Sequence, residues 1–200
     1  MSFHPASAFF GPISTVIKGK LFYIIGSSGS GKDSVIRYAQ ARVSGDPGTM
    51  FAHRYITRPV ELEGENHIAL TEAEFNARRR AGLFAMNWTS LGLHYGIGCE
   101  IDLWLAKGCN VVVNGSREYL PEAKVIYPAL SAVLICVAPE NIEKRLRARG
   151  RETDEQIELR LSRAQQFGHI ENVTEVIENN GTLASAGERF VALLNNASKG

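Results

Sequence analysis

Leu21-Phe22-Tyr23-Ile24-Ile25-Gly26-Ser27-Ser28-Gly29-Ser30-Gly31-Lys32-Asp33-Ser34 is the stretch that decides the fold. Its first five residues form a continuous apolar run, as a buried parallel strand does. After Lys32 the period changes: Val35, Ile36 and Ala39 share one face of a helix expected to end near Arg42. Between strand and helix, glycines allow positive φ, so that successive N–H groups turn inward toward phosphate oxygens. The helix N-terminus adds partial positive charge, and Lys32 would reach the β- and γ-phosphates. Strand, glycine-rich turn, lysine and helix in this order predict a phosphate-binding loop over Gly26, Ser27, Ser28, Gly29, Ser30, Gly31, Lys32, Asp33 and Ser34. A plain Gly/Ser turn is the competing reading, and the lysine opening a helix argues against it. Asp33 departs from the motif, which has Ser or Thr on Mg²⁺ at that place. A carboxylate is a hard ligand, so Asp33 is expected to take the metal, directly or through water.

Outward from this stretch, strands and helices alternate. Residues 111–113, 132–137 and 173–177 read as strands. Thr71-Glu72-Ala73-Glu74 reads as a capping box opening a helix that stops at Gly82. Further helices are expected over 100–107, from Pro139 to about Arg147, over 154–166 and over 183–194. The alternation predicts an α/β domain with a parallel sheet. The polar stretch 53–92 reads as an inserted lobe, and residues 1–18 as a tail.

The 200 residues suit one domain, and with 44% hydrophobic residues the core is sizeable. A net charge of +1 gives no field for nucleic acid or a membrane surface. No apolar run approaches the roughly 18–20 residues of a membrane span. The first residues lack the pattern of a signal peptide, so a cytoplasmic protein is expected. Cys99, Cys109 and Cys136 have no metal-ligand spacing. The sequence does not fix the oligomeric state and leaves a homodimer open.

The second informative segment is Glu143-Lys144-Arg145-Leu146-Arg147-Ala148-Arg149-Gly150-Arg151-Glu152, continuing to Arg160 and Arg163. Arg145 and Arg149, four apart, share a helix face. Positioned guanidinium groups stabilise the charge that develops in phosphoryl transfer. The alternative is a solvated helix paired to Glu143, Glu152, Asp154, Glu155 and Glu158. A phosphate-binding loop on the same chain favours an arginine lid.

Taken in order, the phosphate-binding loop, Thr57-Arg58-Pro59, Gly92-Leu93-His94-Tyr95-Gly96 and Arg145-x-x-x-Arg149-Gly150 resemble guanylate kinases, over about residues 20–180. The resemblance implies a three-layer α/β/α P-loop fold with core segments 19–52, 93–144 and 166–200, an acceptor-binding lobe over 53–92 and a lid over 145–165. It implies that Arg58 and Tyr95 hold the acceptor's phosphate, that Arg145, Arg149 and Arg160 join Lys32 at the ATP phosphates, and that the loop at Asn179-Asn180 lies near adenine.

The departures concern the acceptor. Met86 falls where guanylate kinases read guanine with a Glu, and His67 where they have a phosphate-binding Tyr. Glu61 falls near their second Arg, and Asn114 and Ser116 replace an acidic pair. A buried ring donor left unpaired costs about 1–3 kcal/mol, so Met86 speaks against a guanine pocket. Arg54, Arg58, His67 and Arg117 could gather more anionic charge than one phosphate carries, and Asn114 and Ser116 suit sugar hydroxyls. The stretches Arg54-Tyr55-Ile56-Thr57-Arg58-Pro59, Gly64-Glu65-Asn66-His67-Ile68-Ala69-Leu70 and Asn114-Gly115-Ser116-Arg117, with Asp33 after Lys32, closely resemble ribose 1,5-bisphosphate phosphokinases. That resemblance implies transfer from ATP, with Mg²⁺, to a phosphosugar, giving 5-phosphoribosyl 1-diphosphate in phosphonate breakdown. A phosphate oxygen is already largely ionised near neutral pH and needs no general base; His53, His67 and His94 are expected to be hydrogen-bonded or substrate-binding rather than to abstract. The alternatives are a kinase acting on GMP and a non-catalytic interaction module, which would have no use for Lys32 and the lid arginines.

Overall fold

The apolar run becomes β1 (Leu21–Ile25), the central strand of a parallel sheet. The structure is a computed structural model that describes residues 19–59, 67–150, 153–155, 157–158, 161–162 and 172–197. After the glycine-rich loop comes α1 (Lys32–Arg42), then β2 (Thr49–Phe51), β3 (Arg54–Ile56), β4 (His67–Ala69) and α2 (Glu72–Arg80). The hairpin of β5 (Phe84–Ser90) and β6 (Leu93–Gly98) leads to α3 (Glu100–Ala106), β7 (Asn110–Asn114), α4 (Leu120–Ile126) and β8 (Ser131–Cys136). The chain continues through α5 (Pro139–Arg149), β9 (Glu175–Glu178) and α6 (Leu183–Ala197).

Five strands pair in the order β2-β7-β1-β8-β9, all parallel. Period-2 alternation in β1 sends its side chains into two cores. Leu21, Tyr23 and Ile25 pack with Ile101 and Leu105 of α3 and Leu120 and Ala123 of α4. Phe22 and Ile24 pack on the opposite face with Val35, Ile36 and Ala39 of α1 and Ala186, Phe190 and Leu194 of α6. Helices on both faces of a parallel sheet make the expected three-layer α/β/α fold. The loop after β1 leaves the sheet where the chain turns one way toward β2 while β8 leads the other way to β9. Ligands of open parallel sheets bind at such a crevice.

A second sheet, β4-β3-β6-β5, forms the lobe. Leu91 at φ 51° and Gly92 at φ 73° make a two-residue hairpin turn with both residues left-handed. The lobe expected over 53–92 ends inside this hairpin, and the sheet continues through β6 to Gly98. Thr71 Oγ1 accepts the Glu74 N–H at 3.2 Å, so the capping box forms.

Between 154 and 162 the described residues are helical. Arg160, Arg163 and the expected tail at 1–18 lie outside the described residues, as does the side chain of Arg149. Among the described residues no helix is long and apolar enough to cross a membrane.

Candidate active site

The loop from Gly26 to Gly31 is shaped by close approach from three sides. A Cβ on Gly26 would stand 2.4 Å from the Ile135 carbonyl of β8. Gly29 (φ 81°) and Gly31 (φ 83°) are left-handed. A Cβ on Gly29 would meet Ile142 and Leu146 of α5, and one on Gly31 would lie 2.6 Å from Asn179 Nδ2. Only glycine meets both demands at residue 31. Gly31 caps α1, and the Lys32 ammonium donates to Ser27 O at 3.4 Å, inside the loop.

Asn179 locks the loop to the neighbouring wall. Its Nδ2 donates to Ser30 O at 2.8 Å in a buried contact, and its own carbonyl accepts Arg145 Nη2 at 2.7 Å. Gly29, Gly31, Ser34, Arg145, Ala148, Asn179 and Leu183 line a cleft of about 370 Å³ beside the loop. Leu146 and Ile142 of α5 and Ile157 form the small apolar cluster behind it. Gly150, left-handed at φ 64°, ends α5. The solvated alternative holds for one arginine: Arg147 pairs with Glu143 at 3.0 Å and Asp154 at 2.5 Å, while Arg145 faces the loop.

Two of the residues expected on the acceptor side, Arg54 and Asn114, meet at Asp33. Its Oδ1 accepts Asn114 Nδ2 at 2.5 Å and lies 3.4 Å from Arg54 Nη2. Arg54 is well buried, with a side-chain exposure of 13% against 35% for Asp33. The Arg54 guanidinium lies 5.9 Å from the centroid of Tyr95, which stacks on Trp88 at 5.5 Å and 3°. Trp88 in turn stacks on Tyr119 at 5.5 Å. His67 is buried beside Arg54, which it opposes in the β3–β4 register. Arg58 lies four residues beyond Arg54 and is half-buried, with Nε shielded from solvent. Ser116 and Arg117 follow β7 on the loop that Asn114 begins.

No protein-family model matches the chain. Among curated proteins, ribose 1,5-bisphosphate phosphokinase PhnN of Thiobacillus denitrificans is 66% identical over 180 residues, covering 90% of this chain and 95% of that one. Its namesake from Psychromonas ingrahamii is 56% identical over 180 residues, covering 90% and 91%. The chain belongs to the ribose 1,5-bisphosphate phosphokinase family. Among solved structures, guanylate kinase from Anaplasma phagocytophilum superposes with a TM-score of 0.69 at 15% identity, covering 91% of this chain and 87% of that one. The fold of this family member is therefore guanylate-kinase-like.

Within that fold, the structure assembles the predicted loop residues with Arg145, and joins Asp33, Arg54 and Asn114. Met86 is fully buried in the core beneath the lobe. Two supports were not foreseen. Asn179 holds the loop, where sequence reading put it only near adenine. Tyr23 holds the loop after β7: its hydroxyl accepts Ser116 N–H at 3.0 Å and faces Ser116 O at 3.3 Å. Burial pushes that hydroxyl's pKa far above its ordinary value. A Cβ on Gly115 would lie 2.2 Å from the Tyr23 ring, so the Asn114-Gly115 pair was the signal available.

Proposed function

We propose that the chain transfers the γ-phosphoryl group of ATP to the 1-phosphate of ribose 1,5-bisphosphate. An oxygen of that phosphate attacks the γ-phosphorus, the bond from γ-phosphorus to the β–γ bridging oxygen breaks, and ADP leaves. The second product is 5-phospho-α-D-ribose 1-diphosphate. The observation that carries this reading is the meeting of Arg54, from the lobe, with Asp33, on the phosphate-loop helix. With Arg54 read as an acceptor residue and Asp33 beside the nucleotide's phosphates, this contact supports acceptor and donor sites side by side, as in-line transfer requires. The names of the relatives support the same reaction.

In this reading, residues 53–92 form the acceptor lobe and 145–165 the lid of a single domain on 19–200. The loop amides and Lys32 hold the nucleotide's phosphates, and Arg145, Arg149 and Arg160 neutralise the charge of the transferred group. Arg54, Arg58, His67, Tyr95 and Arg117 hold the acceptor's phosphates, with Asn114 and Ser116 on the sugar. The acceptor phosphate is a dianion in good part near neutral pH, so alignment and charge neutralisation suffice without a base.

Mg²⁺ fits the residues present. Oδ1 of Asp33 is taken by Arg54 and Asn114, while the side chain as a whole remains about a third exposed. Mg²⁺ needs one or two carboxylates, with water and phosphate completing its shell. When bound, it would neutralise charge on the β- and γ-phosphates. A cytoplasmic setting in phosphonate breakdown accords with this substrate.

The buried Met86 offers no acceptor to a guanine ring, which speaks against GMP. The test is an ADP-release assay with ribose 1,5-bisphosphate and with GMP, followed by the mass of the product. Turnover of the bisphosphate to a product heavier by one phosphoryl group is expected. Efficient turnover of GMP alone would reverse the assignment. Absence of any ATP binding with Mg²⁺ present would favour a non-catalytic module.

A further inference from the structure

Two sequence departures that look independent meet in space. Asp33 stands where Ser or Thr commonly follows the loop lysine. Asn114 stands where the guanylate-kinase resemblance has an acid. In the fold, Asn114 at the end of β7 bonds Asp33 Oδ1 at 2.5 Å, and Arg54 approaches the same oxygen. The contact with Asn114 has one polarity. An ionised carboxylate only accepts, so the amide nitrogen must face Asp33.

That choice turns Asn114 Oδ1 the other way. Oδ1 is shielded from solvent and meets no hydrogen-bond partner among the described residues. The nearest main-chain donors are committed: Gly115 N–H to Ile24 O at 2.8 Å, and Ser116 N–H to Tyr23 Oη at 3.0 Å. A shielded oxygen without a donor does not orient the amide, so among the described residues the bond from Nδ2 to Asp33 is what fixes it.

We infer that Asp33 is a positioning residue of the acceptor site, whose single oxygen holds Arg54 and fixes the Asn114 amide beside it. This rests on the reaction proposed above and adds a division of labour to it. Against the guanylate-kinase pattern, this chain has its carboxylate on the loop helix and an amide at the strand end. An acid at 114 would place two like charges at hydrogen-bonding distance. A serine at 33 would free the amide to flip and would take the carboxylate away from Arg54. Asp33 and Asn114 therefore act as one unit.

The test is calorimetric titration of the full chain with ribose 1,5-bisphosphate, in EDTA and without nucleotide. Chelation silences any contribution Asp33 makes through a metal. Asp33→Ser is expected to weaken acceptor binding at least about tenfold, as is Asn114→Asp. The double variant Asp33→Ser/Asn114→Asp should lose clearly less than the product of the two single losses, because the like-charge pair is gone. Should Asp33→Ser fail to fold, Asp33→Asn keeps the shape and discards the charge, and a severalfold loss is expected. Acceptor affinity within about twofold of wild type in the folded Asp33 variant would overturn the inference. So would losses that simply multiply in the double variant. If the wild-type chain itself binds no ribose 1,5-bisphosphate, the proposed reaction falls and takes this inference with it. Wild-type binding that ignores Asp33 sinks the inference alone.

Discussion

Asn179 shows how much one side chain decides at the proposed nucleotide site. It bonds the Ser30 carbonyl on the loop, while its main chain bonds Arg145 on α5. Asn179→Ala would leave Ser30 O buried without its donor, a cost of about 1–3 kcal/mol. Part of that cost falls on the loop proposed to receive phosphate, so ATP affinity should fall by roughly tenfold, the equivalent of about 1.4 kcal/mol. Fluorescent-nucleotide titration beside a denaturation curve separates the two effects. Lost stability with full ATP affinity would make Asn179 a core residue only. The residue was visible in the sequence as one of two adjacent asparagines, but its partner lies 149 positions away. Loop glycines, lysine and lid arginines carry local spacing that can be read. A long-range amide clamp carries none, and Tyr23 likewise looked like one more apolar strand residue.

At the scale of elements, the lobe meets the core through a stacked column. Arg54 of β3, Tyr95 of β6, Trp88 of β5 and Tyr119 just before α4 follow one another at 5.9, 5.5 and 5.5 Å. Aromatic pairs contribute about 0.5–1.5 kcal/mol each beyond buried area. Trp88→Leu keeps an apolar side chain but removes both stacks, so a loss of about 1–3 kcal/mol is expected. Tyr95 then loses its backing, and with it the orientation of Arg54. The KM for the acceptor should rise severalfold while the KM for ATP stays nearly constant. Equal changes in both would show that the column serves stability alone. These elements were legible unevenly. β1, β7 and β8 each hold a continuous apolar run, and α1 and α2 carry a face or a cap. β2, β3 and β4 have three residues each, too few for a period to appear, and tertiary pairing makes them strands. For the same reason the end of the lobe at 92 fell inside a hairpin that only cross-strand pairing reveals.

For the whole molecule, the lobe is rooted in the main core and does not stand as a separate body. Met86 and Ile97 of the lobe pack in the same cluster as Tyr23, Ile25 and Tyr127. Two tyrosines of that cluster carry buried hydroxyls, which ties stability to alkaline pH. Burial raises the pKa of Tyr23, and burial followed by the hydrogen bond to Asp102 Oδ1 at 2.6 Å raises that of Tyr127, both from an ordinary 10.0. The sign follows from proton counts. Below pH 10 folded and unfolded chains both keep these protons, so their contribution to stability is fully present. Above pH 10 the unfolded chain releases them first, so stability falls as pH rises toward the folded pKa values. Each such tyrosine contributes a decline of up to about 1.4 kcal/mol per pH unit. Tyr127→Phe removes one of these protons and one hydrogen bond. It should be less stable than wild type at pH 8, by about 1 kcal/mol or more, yet decline more gently above pH 10, so that the two curves converge. Urea unfolding at intervals from pH 8 to pH 11 measures both curves. Parallel curves would mean that folding does not hold the Tyr127 proton, and that the contact with Asp102 is too weak to join α4 to α3.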